Sequence, residues 1–154
     1  MKKHEFPELA EEKRVVAEIY ASNRETTSQL QILYKELTGR ARRQTALWES
    51  DSNIVQDREP EYLILLRTVT STEKEIVALL TEKVEENRQM QKLRSETSER
   101  DQVAMLSLYK KLRAAAEKEG DDDLPRLQSW TQQLEKEVVK LEEFLRSQRK
   151  ESDR

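Results

Sequence analysis

The chain has 154 residues, of which 38% are charged and 5% aromatic, and its formal net charge is −3. Two glycines and three prolines supply too few turns for a sheet protein, and the absence of cysteine excludes disulfides and thiolate chemistry. We therefore expect an all-α fold of elongated antiparallel helical hairpins of the coiled-coil type, with about three helices and a long central one. Residues 8–145 would form one elongated helical domain.

The first predicted helix covers about residues 8–49 and follows a tail, residues 1–7, that we expect to be disordered. Its apolar residues recur at spacings of three and four, which is the seam of a left-handed coiled coil. Two polar layers interrupt this seam, Asn23 with Thr26 and Arg40 with Gln44. Either these layers set the register and the choice of partner, or the seam is loose and partly solvated. The predicted partner-binding seam of this helix is Val16, Ile19, Asn23, Leu30, Leu33, Leu37, Leu47 and Trp48.

The second predicted helix covers about residues 60–118, after a connector at 50–60. Pro60 suits its first turn, where a missing N–H costs no hydrogen bond. Between residues 91 and 101 only Leu93 is apolar, so we predict one long helix with a solvated waist. A flexible hinge near 95–101 is the alternative. The apolar stripe contains Tyr62, Leu63, Leu66, Val69, Ile76, Val77, Leu80 and Val84, of which Leu66, Val69, Ile76 and Leu80 are assigned to the partner-binding seam.

The third predicted helix covers about residues 124–146 and follows a turn at 119–123. Gly120 suits the position after a helix end, and Asp123 or Leu124 would cap the new helix ahead of Pro125. The Asp121–Asp123 carboxylates favour a helix N-terminus and lack the spacing of a calcium loop, so we interpret them as caps. The predicted seam is Leu127, Trp130, Leu134, Val138, Leu141 and Leu145, and residues 147–154 would be a disordered tail.

Catalysis and membrane insertion are not expected from this sequence. His4 is the only imidazole, which leaves no histidine-based triad or multi-histidine metal site. We predict no catalytic, cofactor-binding or metal-binding residue and no enzyme activity. The longest apolar run is Tyr62–Leu66, whereas a membrane span needs about 20 residues. We expect a cytoplasmic protein, with the nucleus as the alternative, that is neither secreted nor transmembrane.

The apolar seams favour a non-enzymatic structural or adaptor subunit that packs with partner helices in a cytoplasmic assembly, with cytoskeletal and ciliary assemblies among the candidates. The partners would be other coiled-coil or helical proteins, in a hetero-oligomer by preference or a homo-oligomer. The alternative is a nucleic-acid-associated regulator that dimerises through its helices. Its densest basic spot is Arg40, Arg42 and Arg43, but no segment carries the surplus of basic charge that nucleic acid requires. The layer formed by Arg40 and Gln44 also resembles the core of a SNARE complex. SNARE proteins normally carry a membrane span or a lipidated cysteine, and this sequence offers neither.

Overall fold

A computed structural model describes residues 7–96 and 101–149, which form three helices and no strand. These are α1 (Pro7–Ser50), α2 (Glu59–Glu96) and α3 (Gln102–Gln148). The all-α helical prediction is confirmed. The contacts divide the chain into two compact units, each with a segment of every helix. Unit 1 comprises Met1–Gln29 and Leu80–Arg126, and unit 2 comprises Leu30–Leu79 and Leu127–Arg154.

The first helix and the connector lie within about a residue or two of their predicted bounds. The Asp51 backbone N–H still bonds to the Leu47 carbonyl at 2.9 Å, and the Asp51 carboxylate accepts the backbone N–H of Asn53 at 2.9 Å. Such a bond between an aspartate and the backbone two residues on is typical of a turn that leaves a helix. Pro60 lies in the first turn of α2, as its missing N–H predicts.

The predicted continuous helix over 60–118 is wrong, because α2 ends at Glu96 and α3 begins at Gln102. Asp101 caps the new helix, and its carboxylate Oδ1 accepts the backbone N–H groups of Val103 and Ala104 at 3.1 and 3.2 Å. The alternative prediction, a hinge near 95–101, covers the segment between the end of α2 and the start of α3. Residues 97–100 of that segment lie outside the described residues.

The predicted turn at 119–123 is also wrong, because α3 continues through it and contains Pro125. Pro125 cannot donate an intrahelical hydrogen bond, which normally ends or kinks a helix. Its neighbours Leu124 and Leu127 are nevertheless buried, and burial of one continuous helical face outweighs the local preference for a turn. Asp123 consequently lies inside a helix and does not cap one.

The C-terminal prediction ended the third helix too early. α3 continues to Gln148, which is buried, and the Gln148 carbonyl accepts the backbone N–H of Val55 at 2.9 Å. Arg149 forms a bridge with Ile54 and pairs with Asp51 at 3.0 Å. Residues 147–149 are therefore held by the connector between α1 and α2. The remaining predicted tail residues, 150–154 and 1–6, lie outside the described residues.

Unit 1 has a small apolar core between α1 and α3. Glu12 of α1 pairs with Arg113 of α3 at 3.2 Å, and Glu8 pairs with Lys110 at 3.8 Å, so these two segments run in the same direction. α2 contributes Lys83, which is buried between the carboxylates of Glu86 and Asp123. The core consists of Leu9, Val16, Tyr20, Met105, Tyr109, Leu112 and Ala116.

Unit 2 has a core that combines aliphatic side chains with a buried carboxylate. Thr72 Oγ1 of α2 lies 2.8 and 2.7 Å from the two carboxylate oxygens of Glu137 in α3. Gln133 donates a further hydrogen bond to Glu137 at 3.0 Å, so that the charge is solvated by protein donors. The aliphatic and aromatic part of this core is Leu37, Ala41, Trp48, Ile54, Tyr62, Val69, Ile76, Leu79, Leu127, Leu134, Val138, Leu141 and Leu145.

Replacing Thr72 with valine should lower the free energy of unfolding by about 1–3 kcal/mol, because it removes a donor from the buried Glu137 carboxylate while preserving side-chain shape. Urea unfolding followed by circular dichroism measures this change. Thr68→Val is the matched control, because exposed Thr68 bonds only to the Ile64 carbonyl. Equal losses for the two variants would contradict the role assigned to Thr72.

Candidate protein-interaction surface

Most of the predicted seam residues lie in the chain's own cores. Those that are buried are Val16, Asn23, Leu37, Trp48, Val69, Ile76, Leu80, Leu127, Leu134, Val138, Leu141 and Leu145. Those that are half-buried are Ile19, Leu30, Leu33, Leu66 and Trp130. Leu47 is exposed. The buried side chains are covered by helices of the same chain, and their contact with a partner stays a prediction.

The two predicted polar layers have different surroundings. Asn23 is buried, and its carbonyl accepts the hydroxyl of Thr27 at 2.7 Å. Arg40 forms a two-armed ion pair with Glu142 of α3, at 2.5 and 3.1 Å, so this arginine is committed within the chain. Arg42 and Arg43, the other members of the predicted basic spot, are exposed.

The aromatic side chains at the end of α1 pack against one another within unit 2. The rings of Trp48 and Tyr62 stack with their centroids 4.1 Å apart, and Phe144 lies 6.3 Å from Trp48. Arg58 lies 5.4 Å from the centre of the Phe144 ring, which adds a cation–π contact. These rings therefore pack against one another inside unit 2.

Part of the predicted α2 stripe lies outside the cores. Leu63 is 37% exposed and Val77 is 44% exposed, and with Thr70 they form a row at seven-residue spacing. Leu66 follows Leu63 by three residues, and Glu73 follows Thr70 by three residues. Both are half-buried, and this spacing places them beside the row on the helix. The spacing alternates between three and four residues over 63–77, as in a helix that packs on a partner helix, and its apolar members are Leu63, Leu66 and Val77.

A segment of α1 borders this row. The positive charge of Arg42 acts to lower the pKa of both Glu73 and Tyr34, so the three groups lie on one side of unit 2. Lys35 precedes Arg42 by seven residues and therefore shares its helical face. We call this surface the α1–α2 face of unit 2, and it consists of Tyr34, Lys35, Arg42, Leu63, Leu66, Arg67, Thr70, Glu73, Lys74 and Val77.

The electrostatics of the α1–α2 face are dominated by cations. Lys35, Arg42, Arg67 and Lys74 are exposed, and among the described residues none of them forms an ion pair. Glu73 is the one acidic member of the face, and burial raises its pKa against the opposing effect of Arg42. Burial also raises the pKa of Tyr34, with a smaller contribution from Glu73.

Within residues 7–96 and 101–149 there is no group of three or more histidine and acidic side chains arranged to hold a metal ion. The helices in this part of the chain include none that is long and apolar enough to span a membrane. His4, the only imidazole, lies outside the described residues.

Comparison of the chain with protein-family models found no match, and comparisons with curated proteins and with solved structures found no similar protein. Leu63 and Val77 were included in the predicted apolar stripe of the second helix but were not assigned to the partner-binding seam.

Glu142→Gln should destabilise the protein at neutral pH by no more than about 1 kcal/mol, the range for ion pairs open to solvent. Arg40 holds the pKa of Glu142 below its usual value, so the pair contributes fully above the unfolded pKa of about 4.3. The contribution is lost as the pH falls through the lowered folded pKa. Thermal unfolding between pH 3 and 7 measures it, and a pH-independent difference from the wild type would contradict this assignment.

Glu73→Gln should have the opposite effect, because burial raises the pKa of Glu73. The ionised side chain costs stability above its folded pKa, so the glutamine variant should be more stable than the wild type at pH 7. Its advantage should vanish below the unfolded pKa of about 4.3, where both forms are neutral. Thermal unfolding over the same pH range measures this difference in stability. A glutamine variant that is less stable than the wild type at pH 7 would contradict the prediction and show that the Glu73 charge stabilises the fold.

Proposed function

We propose that the protein is a non-enzymatic adaptor or structural subunit that binds an amphipathic helix of a partner protein on the α1–α2 face of unit 2. The observation that supports this proposal most directly is the exposed row of Leu63, Thr70 and Val77 beside the half-buried Leu66. A helix laid along this row would bury aliphatic surface in the way that a fourth helix joins a bundle.

The partner helix is acidic at its flanks. Arg67 and Lys74 border the row on α2, and Lys35 and Arg42 border it on α1, all four exposed and without an ion pair among the described residues. Complementary charge on the partner would speed association and fix the register of the helix, while the aliphatic contacts supply affinity. A basic helix would meet four like charges and be rejected.

The aliphatic row favours a protein partner over nucleic acid. Phosphate backbones are bound by arginine and lysine together with polar side chains, and they gain nothing from aliphatic side chains such as Leu63 and Val77. Glu73 would also face the phosphates as an unfavourable charge at neutral pH. The assembly that contains the partner is proposed to be cytoplasmic and hetero-oligomeric, in keeping with the composition of the sequence.

Val77→Asp should weaken capture of the partner about tenfold or more, because it places a charge in the apolar contact. A photo-crosslinking residue at position 77 of the full chain, followed by peptide mass spectrometry, identifies the segment that binds. We expect a helical segment with apolar residues at heptad spacing and acidic flanks. Reversal of Lys35, Arg42, Arg67 and Lys74 to glutamate should abolish the crosslink.

The matched control is Ile64→Asp, since Ile64 is 61% exposed on the same helix but does not belong to the α1–α2 face. Capture should be unchanged in this variant, and circular dichroism should show both variants folded. Equal loss in the two variants, a crosslinked segment with basic flanks, or a capture that nuclease treatment abolishes would overturn the proposal.

A further inference from the structure

Unit 1 contains a small polar notch between α1 and α2 that the α1–α2 face of unit 2 does not include. Its lining is Tyr20, Ala21, Arg24, Asn87, Gln91 and Arg94. Asn87, Gln91 and Arg94 recur at spacings of four and three, so α2 presents them from one face. The notch carries two arginines and, among the described lining residues, no carboxylate.

The Asn87 side chain supplies the strongest indication of a ligand. Asn87 is only 9% exposed, and its amide nitrogen Nδ2 has no hydrogen-bond partner among the described residues. A buried donor without an acceptor costs about 1–3 kcal/mol, so the notch favours any group that brings an acceptor. Arg24 lies beside it and donates from Nη1 to Gln91 Oε1 at 2.8 Å.

The size and charge of the notch select the kind of acceptor. Its volume is about 30 Å³, and since one water-sized group needs about 10–15 Å³, it accommodates about two oxygen atoms at a time. Planar guanidinium groups bind carboxylates through two parallel hydrogen bonds. We propose that this notch binds a carboxylate, such as an aspartate or glutamate side chain of a partner segment. Arg24 and Arg94 are donors to it, and the buried Asn87 amide turns toward the notch to donate a further hydrogen bond.

Arg24 changes partner in this arrangement. The carboxylate takes the place of Gln91 Oε1 as acceptor, so that one arginine hydrogen bond is exchanged for a stronger charge-assisted one. Arg94 contributes the second positive charge from α2, where it is half-buried. Neither arginine has an ion pair with a described residue.

Titration of the full chain with sodium acetate, followed by NMR, tests the proposal. The side-chain amide of Asn87 and Nε of Arg24 should shift and saturate, whereas sodium chloride at equal ionic strength should produce no saturable shift. Sodium phosphate should saturate only at higher concentration than acetate. In Asn87→Asp, which keeps the shape but adds a negative charge, the dissociation constant for acetate should rise about tenfold or more.

Arg88→Gln serves as the control, because exposed Arg88 pairs with Glu85 and does not line the notch. Its acetate titration should match the wild type, and Arg94→Gln should weaken binding even if Asn87→Asp fails to fold. Shifts that never saturate, as expected when the notch holds water alone, would overturn the proposal. Saturation by phosphate at or below the acetate concentration would overturn the assignment to a carboxylate.

Discussion

The fold depends on the burial of apolar side chains that recur every seven residues along α3. Leu127, Leu134 and Leu141 are fully buried in unit 2, and each of them removes its apolar surface from water for a gain of about 1.5–3 kcal/mol. The chain is 38% charged and 35% hydrophobic, so its apolar side chains form narrow stripes on otherwise polar helices. The positions of its helices therefore follow from the faces on which these leucines lie.

This constraint explains which parts of the fold were predictable. The extent of α1 and the connector follow from a clear heptad pattern that ends before Ser50 and from Pro60. The break before α3 and its passage through Pro125 were not predictable from chain-breaking residues. Asp101 forms a helix cap without any glycine or proline nearby, whereas burial on both sides of Pro125 overrides a strong local signal for a turn.

The candidate surface was only partly predictable, for a related reason. The heptad pattern correctly identifies α2 as apolar along Tyr62, Val69 and Ile76, all of which are buried. It does not show how wide an arc the neighbouring helices cover, and so Leu63 and Val77 appear in the same stripe although they are exposed. The buried carboxylate of Glu137 depends on Thr72, 65 residues away along the chain, and gives no local signal. The α1–α2 face consequently emerges only from tertiary packing.

The aromatic cluster around Trp48 has a consequence for spectroscopy. The chain contains two tryptophans, Trp48 and Trp130, and both belong to unit 2, whereas the buried aromatic residues of unit 1 are Tyr20 and Tyr109. Intrinsic tryptophan emission therefore follows the melting of unit 2 alone, while the far-ultraviolet signal of the helices follows both units. Coincidence of the two melting curves would identify a single cooperative transition, and separation would assign the tryptophan-monitored step to unit 2.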